Sequence, residues 1–246
     1  MTKRGSVDVG FLLIDGYDLL GVSTTLNDNL EALIQETTTF GTTWATQAPT
    51  GVKRAEISQE GYYDDASGSI NDALSGQEGV SRLLSYGLEG NTIGKQFVGY
   101  SGAMQVNYTK IATRGEIHRA NASYQGDGDV EKGLILHPHL LKDGDGNTES
   151  AGVEAAAQTT AGGVAYLQVS ELDLDGLANV IIKIRESADG IAWNDLTSFT
   201  AVTAAPAKER KAITGTVKKH LAVSWAFAGL TTENPSVKFM VGFKRK

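Results

Sequence analysis

The chain has no cysteine, four prolines and four histidines in 246 residues. Without thiols there are no disulfides and no thiolate metal sites, so packing, hydrogen bonds or assembly must hold the framework together. Four histidines leave little else for zinc. No run approaches the roughly 20 apolar residues that span a bilayer. The opening Met1-Thr-Lys-Arg-Gly-Ser-Val-Asp8 lacks the apolar centre of a signal peptide. The expectation is a soluble chain made in a cytoplasm.

Glycine, by contrast, is abundant at 29. Val, Ile, Thr, Tyr and Phe recur in short runs broken by Gly, Asp, Asn and Ser, which is how strands and tight turns are written. The reading is a mainly β, antiparallel fold, a β-sandwich or half-barrel. Strand-like runs lie at about 7–14, 52–58, 103–111, 116–124, 130–137, 163–171, 178–186, 214–228 and 235–243. Hairpin turns are expected at Gly126-Asp-Gly-Asp129 and at Thr231-Thr-Glu-Asn-Pro235. One helix is expected over about 69–86, opened by Ser69 and weakened by Gly76 and Gly79.

The net charge of −7 is uneven: residues 1–140 hold 10 basic and 17 acidic side chains, and residues 141–246 hold 12 of each. An acidic chain is a poor binder of a phosphate backbone, since that affinity comes from Lys and Arg releasing counterions. It suits a surface along which DNA slides without sticking.

Two domains are expected, 1–140 and 141–246, divided at the turn-rich Leu141-Lys-Asp-Gly-Asp-Gly-Asn147. A duplication can be drawn between Val52–Asp65 and Ile181–Asp195, matching Ser58 with Ser187 and Gly61 with Gly190, and between Gly115–Tyr124 and Val217–Trp225, matching His118 with His220. Coincidence explains such short matches as well as descent does.

No catalytic constellation can be assembled. Asp143, Asp145, Asn147 and Glu154 stand where a twelve-residue calcium loop puts ligands at positions 1, 3, 5 and 12, but position 6 is Thr148 in place of glycine. His137-Pro-His139 offers two imidazoles with no third ligand nearby. Gly99-Tyr-Ser-Gly-Ala103 has its second glycine one position early for a nucleophile elbow. Tyr62, Tyr63, Trp193 and Trp225 could stack sugars or bases, against the more frequent reading as packing residues. No nucleophile, base and orienting group can be named together, so an enzyme is not expected.

Several segments taken together resemble the tail tube proteins of long-tailed bacteriophages. They are Gly16-Tyr-Asp-Leu-Leu-Gly21, the Thr-rich Thr37-Thr-Thr-Phe-Gly41, Gly61-Tyr-Tyr-Asp-Asp65, Glu186-Ser-Ala-Asp-Gly190 through Trp193-Asn-Asp-Leu196, Gly215-Thr-Val-Lys-Lys-His-Leu221 and Phe239-Met-Val-Gly-Phe243. Each is degenerate and none is diagnostic alone. The resemblance implies a β-sandwich or half-barrel with a flanking helix, no catalysis and no cofactor. It further implies rings stacked into a tube that conducts DNA, without specific binding and most simply without a contractile sheath. A long loop, here about 26–51 with Thr39, Phe40, Trp44 and Pro49, would reach the neighbouring ring. The partners it implies are copies of the chain itself, in trimeric pseudo-hexameric or hexameric rings, with tail terminator, tape measure and baseplate or distal tail proteins. The location it implies is the virion tail. The alternative from another class is a carbohydrate-binding β-sandwich on a virion surface.

Overall fold

The computed structural model describes residues 8–40, 43–229 and 233–246. Its strands, in chain order, are β1 (Phe11–Ile14), β2 (Tyr17–Asp18), β3 (Ser23–Glu36), β4 (Gln47–Tyr62), β5 (Ser81–Gly87), β6 (Gln96–Ile111), β7 (Arg119–Gly126), β8 (Val130–Asp143), β9 (Gly146–Asn147), β10 (Val153–Glu154), β11 (Gly163–Asp173), β12 (Val180–Ser187), β13 (Asn194–Ser198), β14 (Ala207–Ile213), β15 (His220–Phe227) and β16 (Ser236–Arg245). The single α-helix described, α1, is Ile70–Leu74. The chain is thus mainly antiparallel β, as its composition predicts.

Eleven strands form one sheet. Its main path runs β14-β11-β16-β8-β6-β5-β1-β2, and a branch runs from β6 through β7 and β4 to β3. The branch exists because β6 is long enough to serve two partners end to end. Gln96–Tyr100 pair with Leu134–Val130 of β8, whereas Ala103–Ile111 pair with Gly126–Arg119 of β7. Consequently Gly126-Asp-Gly-Asp129 is not the hairpin turn its sequence suggests. It is a step between two collinear strands, held to β6 by Asp127 N donating to Gly102 O and Ser101 N donating to Asp129 O. The expected hairpin at Thr231–Pro235 lies partly outside the described residues, and it joins β15 and β16, which belong to different sheets.

Alternation along the strands sorts the core into three layers, because successive side chains point to opposite faces. Phe11, Leu13, Phe97, Ile135, Val164, Tyr166 and Met240 fill the inside of the curled main path. On the opposite face of β8, β11 and β16, residues such as Leu167, Phe239 and Val241 pack against the five-stranded second sheet of β9, β10, β12, β13 and β15. On the opposite face of β1, β5 and β6, residues such as Ile14, Leu84 and Tyr100 pack beneath α1 and against Ile57, Ala122 and Tyr124 of the branch. The β1–β2 turn is fixed to β11 inside the fold: Gly16 N donates to Gln168 Oε1 at 2.8 Å, and Gln168 Nε2 donates to Leu13 O at 3.3 Å. Gly16 sits at φ +90, and a Cβ there would lie 2.6 Å from Val169 O, so no other residue fits the turn.

Three expectations are corrected by these elements. The helix expected over 69–86 is only Ile70–Leu74, because Gly76 and Gly79 take positive φ and the apolar Leu83 and Leu84 belong to strand β5. The buried Arg82 compensates the short helix: Arg82 Nη1 donates to Ala73 O at 2.6 Å, and Gln105 Nε2 donates to Leu74 O at 2.7 Å, satisfying carbonyls its C-terminus leaves open. The loop expected over 26–51 is a long antiparallel hairpin of β3 on β4, from Ser23–Gly61 out to Glu36–Gln47. It reads as a loop in sequence because its outer part is polar or exposed on both faces, which erases the alternation that marks a strand. The division near 141 falls inside β8, and β11, β14 and β16 continue the sheet begun by the first half. Segments matched as a duplication occupy unlike places, β4 between β3 and β7 and β12 between β13 and β15.

Candidate functional site

Three of the four side chains that match a calcium loop in sequence engage partners of their own. Asp145 Oδ1 accepts from Phe227 N at 2.7 Å, Asn147 Oδ1 accepts from Glu149 N at 3.0 Å, and Glu154 pairs with Lys219. Among the described residues no group of three or more metal-ligating side chains converges. His137 is fully buried, stacked on Phe239 at 4.0 Å and edge-on to Trp225. His139 Nε2 lies 2.8 Å from Ser170 Oγ. Burial pushes both imidazoles down to about 4, so they are neutral packing groups at neutral pH. Trp225 is a core residue, Trp193 covers Gly152, and Tyr63 lies under the Lys110 ammonium 5.6 Å from its ring centroid. Tyr62 is exposed, apart from the two tryptophans. His118 immediately precedes β7 and His220 opens β15. Among the described residues no helix is long and apolar enough to cross a membrane.

The distinctive surface is the branch β6-β7-β4-β3, whose strict pairing sorts its side chains by face. On one side, the rows Leu26–Gln59–Ala122–Tyr108 and Asp28–Ile57–Tyr124–Gln105 rest on the core under β1, β5 and β6. On the other side run three rows: Thr25–Glu60–Asn121–Thr109, Asn27–Ser58–Ser123–Asn107 and Asn29–Glu56–Gln125–Met104. None of these twelve positions is classed as buried, and none is a lysine or arginine. The rows that continue the same face on either side, Tyr62–Arg119–Ile111 and Glu31–Arg54, add one arginine each, whereas the three rows themselves carry the carboxylates of Glu56 and Glu60. Short amide and hydroxyl side chains fill the remainder, apart from Met104, with Asn27 Nδ2 donating to Ser58 Oγ at 3.3 Å across β3 and β4.

Both flanks of this branch are open. β3 pairs with β4 alone, over its full length from Ser23 to Glu36. The far flank of β6 is bonded up to Gln105, which exchanges hydrogen bonds with Gly79 and Val80, and carries no strand beyond it among the described residues. The outer edge of this fourteen-residue strand leaves the outward-facing N–H and C=O groups of alternate residues without a strand partner, a strong template for another strand, and natural proteins cover or blunt such edges.

The β3–β4 hairpin also projects. β7 supports β4 from Glu56 to Tyr62, so Gln47–Ala55 extend past the last supporting strand, roughly 30 Å at about 3.3 Å per residue. Leu30, Ile34 and Val52 are exposed along this arm. At its tip Phe40 is fully exposed and Trp44 is 83% exposed, flanking Gly41 and Thr42, which lie outside the described residues. Thr39 precedes them and Pro49 pairs with Ile34 on the arm itself, so all four expected loop residues lie on its distal half. A groove of about 760 Å³ separates the arm from the β7–β8 step, with Leu30 and Ala32 on one wall and Val130, Lys132 and Lys244 on the other. The arm is anchored at its base by Asp28, whose carboxylate accepts the hydroxyls of both Tyr86 and Tyr100. Burial first, then the hydrogen bond to Asp28 and its charge, push both phenols well above the usual tyrosine range, so they remain donors.

Sequence reasoning placed the tip residues but missed β3, β5, β13 and β14 as strands, and with them the polar rows. The alternation Thr25, Asn27, Asn29 against Leu26, Asp28, Leu30 carries a faint period of two. Only the pairing with β4 and β7 makes it readable.

No family model and no curated protein matches the sequence. Among solved structures the chain is similar to a chain from the virion of a native gene transfer agent particle, at 12% identity over 53% of this chain and 98% of that one, with a TM-score of 0.42. It is similar to a chain from the tail of an empty gene transfer agent particle of C6 symmetry, at 15% identity over 52% and 97%, with a TM-score of 0.40. It is also similar to the Dit protein of phage SPP1, described as a paradigm of hub adsorption apparatus in phages infecting Gram-positive hosts, at 10% identity over 96% and 99%, with a TM-score of 0.34.

Proposed function

We propose that this protein is a virion structural protein that polymerises into rings stacked as a phage tail tube, with no catalytic role. The observation that carries the reading is the branch: a sheet packed on one face, polar on the other with no lysine or arginine in its three central rows, open at both flanks and extended into a projecting arm. Such a surface has little to offer a monomer. The exposed arm residues each recover about 1.5–3 kcal/mol when fully buried, which in this reading happens against a neighbouring ring. Phe40 and Trp44 at the tip are the anchors, in keeping with the enrichment of aromatics at protein interfaces.

The polar face suits the wall of a DNA conduit. A duplex binds surfaces through Lys and Arg, and here Glu56 and Glu60 repel it weakly while amides and hydroxyls stay hydrated. One four-stranded branch per chain, and not two, supports a hexameric ring over a trimeric one. Tail terminator, tape measure and distal tail proteins are then its partners at the ends and in the lumen.

Sedimentation velocity at rising protein concentration, with negative-stain images of each sample, tests the reading. Hollow rings or tubes are expected. A monomer at every concentration, with no ring in any image, would count against it.

A further inference from the structure

The core-side face of the branch continues past the core itself. On β4 its positions are Gln59, Ile57, Ala55 and Lys53, and across β3 they meet Leu26, Asp28, Leu30 and Ala32. Gln59, Ile57 and Ala55 are buried, whereas Leu30, Ala32 and Lys53 are exposed. The underside of the arm is therefore an apolar wall with nothing against it, facing Val130 across the groove of about 760 Å³. One flank of β4 opens into the same space. β7 pairs with β4 only as far as Gln125 opposite Glu56, after which the chain steps away to β6 through residues 126–129. From Ala55 outward, the flank of β4 on that side carries no strand among the described residues. A bulge bounds this stretch at its distal end: Ala32 pairs with Lys53 and Ile34 with Pro49, so residues 50–52 stand opposite Leu33 alone, with Gly51 at φ +81. An extended peptide lying in the groove in line with β7 meets main-chain groups as well as side chains, the arrangement by which strand addition gains affinity.

The groove is basic in a chain of net charge −7. Its lining holds Lys53, Arg54, Lys132 and Lys244 against Glu31 and Asp129. Both carboxylates are answered by arginines, Glu31 by Arg54 at 3.6 Å and Asp129 by Arg210 at 3.9 Å. Among the described residues the ammonium groups of Lys53, Lys132 and Lys244 have no ion-pair partner. Three unanswered cations thus surround an apolar wall and a free strand flank, and a concave surface lined by one sign of charge concentrates its field on whatever enters.

We infer that this groove is a docking site for an extended acidic peptide of a partner protein, laid along the free flank of β4 with its carboxylates among Lys53, Lys132 and Lys244 and its small aliphatic side chains on Leu30 and Ala32. Charge complementarity selects this occupant. A basic strand would be repelled by the three lysines, and a neutral one would leave them unanswered. A nucleic acid would answer them but offers no strand to pair with the flank. The site lies at the base of the arm and does not involve Phe40 or Trp44 at its tip, so it stands whether or not the chain assembles into a tube.

Fluorescence anisotropy with a labelled peptide of eight alternating glutamate and valine residues tests the site, at protein concentrations where sedimentation shows a monomer. The glutamate peptide is expected to bind, and the matching glutamine–valine peptide to bind about tenfold more weakly or worse. K132E/K244E, on the body wall, should weaken the glutamate peptide by about tenfold or more, and K53Q, on the arm wall, by about threefold. K110E/R114E makes the same change of charge at the far end of the branch and should shift affinity by less than about twofold. Lys53, Lys132 and Lys244 form no ion pair within the subunit, so the thermal melts of their variants should match that of the wild type. Absence of binding at millimolar peptide, equal losses in K132E/K244E and K110E/R114E, or a single-stranded oligonucleotide of equal charge competing as well as the peptide would each overturn the proposal. Self-association that K132E/K244E abolishes would assign the groove to a second copy of this chain and overturn it as well.

Discussion

Asp28, at the base of the projecting arm, accepts the hydroxyl of Tyr100, on β6, across 72 residues of sequence. Tyr86 donates to the second oxygen of the same carboxylate. The arm's base is thus fixed by one anion and two phenols at the border between core and solvent. Replacing Asp28 by alanine leaves two partly buried hydroxyls without their acceptor, which costs about 1–3 kcal/mol for each group that stays buried and unpaired. D28A is expected to lower the urea midpoint with the slope unchanged, and to raise amide exchange in β3 around 26–30. The phenol shifts also set an alkaline limit. Their folded values lie above the unfolded value of 10.0, so this stabilisation is present below pH 10 and is lost as pH rises past it. In D28A the alkaline loss should be smaller.

A second pH limit lies on the acid side, at His137. Its folded value of about 4 is below the unfolded value of 6.5, so above pH 6.5 neither state is protonated and the group is silent. Between pH 6.5 and 4 the unfolded chain takes up the proton and the folded one resists. Stability therefore falls by about 3 kcal/mol over that window from this group, at about 1.4 kcal/mol per pH unit. His139 titrates in the same sense beside Asp18 and Lys238. Chemical denaturation at a series of pH values should show the slope, and His137→Leu should flatten part of it.

At the arm tip the expected outcome separates folding from assembly. Phe40 and Trp44 bury little in the isolated subunit, so F40A/W44A should change its unfolding free energy by less than about 0.5 kcal/mol. The same pair should raise the concentration at which tubes form by a factor of ten or more, as read by pelleting assays. That factor corresponds to about 1.4 kcal/mol, less than the burial of one aromatic anchor returns.

The polar rows predict how tubes meet DNA. Wild-type assemblies should leave a duplex unretarded on a gel at physiological salt. With E56K/E60K each subunit places two cations on that face, and binding should appear with a steep inverse dependence on salt. Unassembled E56K/E60K, with only two added cations per particle, should bind far more weakly than its tubes.

How much of this was legible in the sequence follows from burial. β1, β8, β11, β12 and β16 are buried on at least one face along much of their length, and their apolar runs announce them. β14 is mostly charged because it forms an edge, and β3 mixes Leu26, Leu30 and Ile34 with polar residues on an exposed arm, so neither announces itself by an apolar run. Leu83 and Leu84 mimicked a helical stripe because their spacing from Ile70, Ala73 and Leu74 fits a period of 3.6, and the two positive-φ glycines between them carry the contrary signal. The tip aromatics were singled out only by the resemblance, which put them in a long loop. The twelve-residue face was not, since rows across four strands depend on register that distant partners set.

The most direct test of the account is a cryo-electron microscopy reconstruction of the assembled protein, asking which face of the β6-β7-β4-β3 branch borders the central channel. The account predicts a hollow tube whose inner wall carries Glu56 and Glu60, with Phe40 and Trp44 seated against the next ring. An assembly with those carboxylates on its outer surface, or one without a channel, would contradict it.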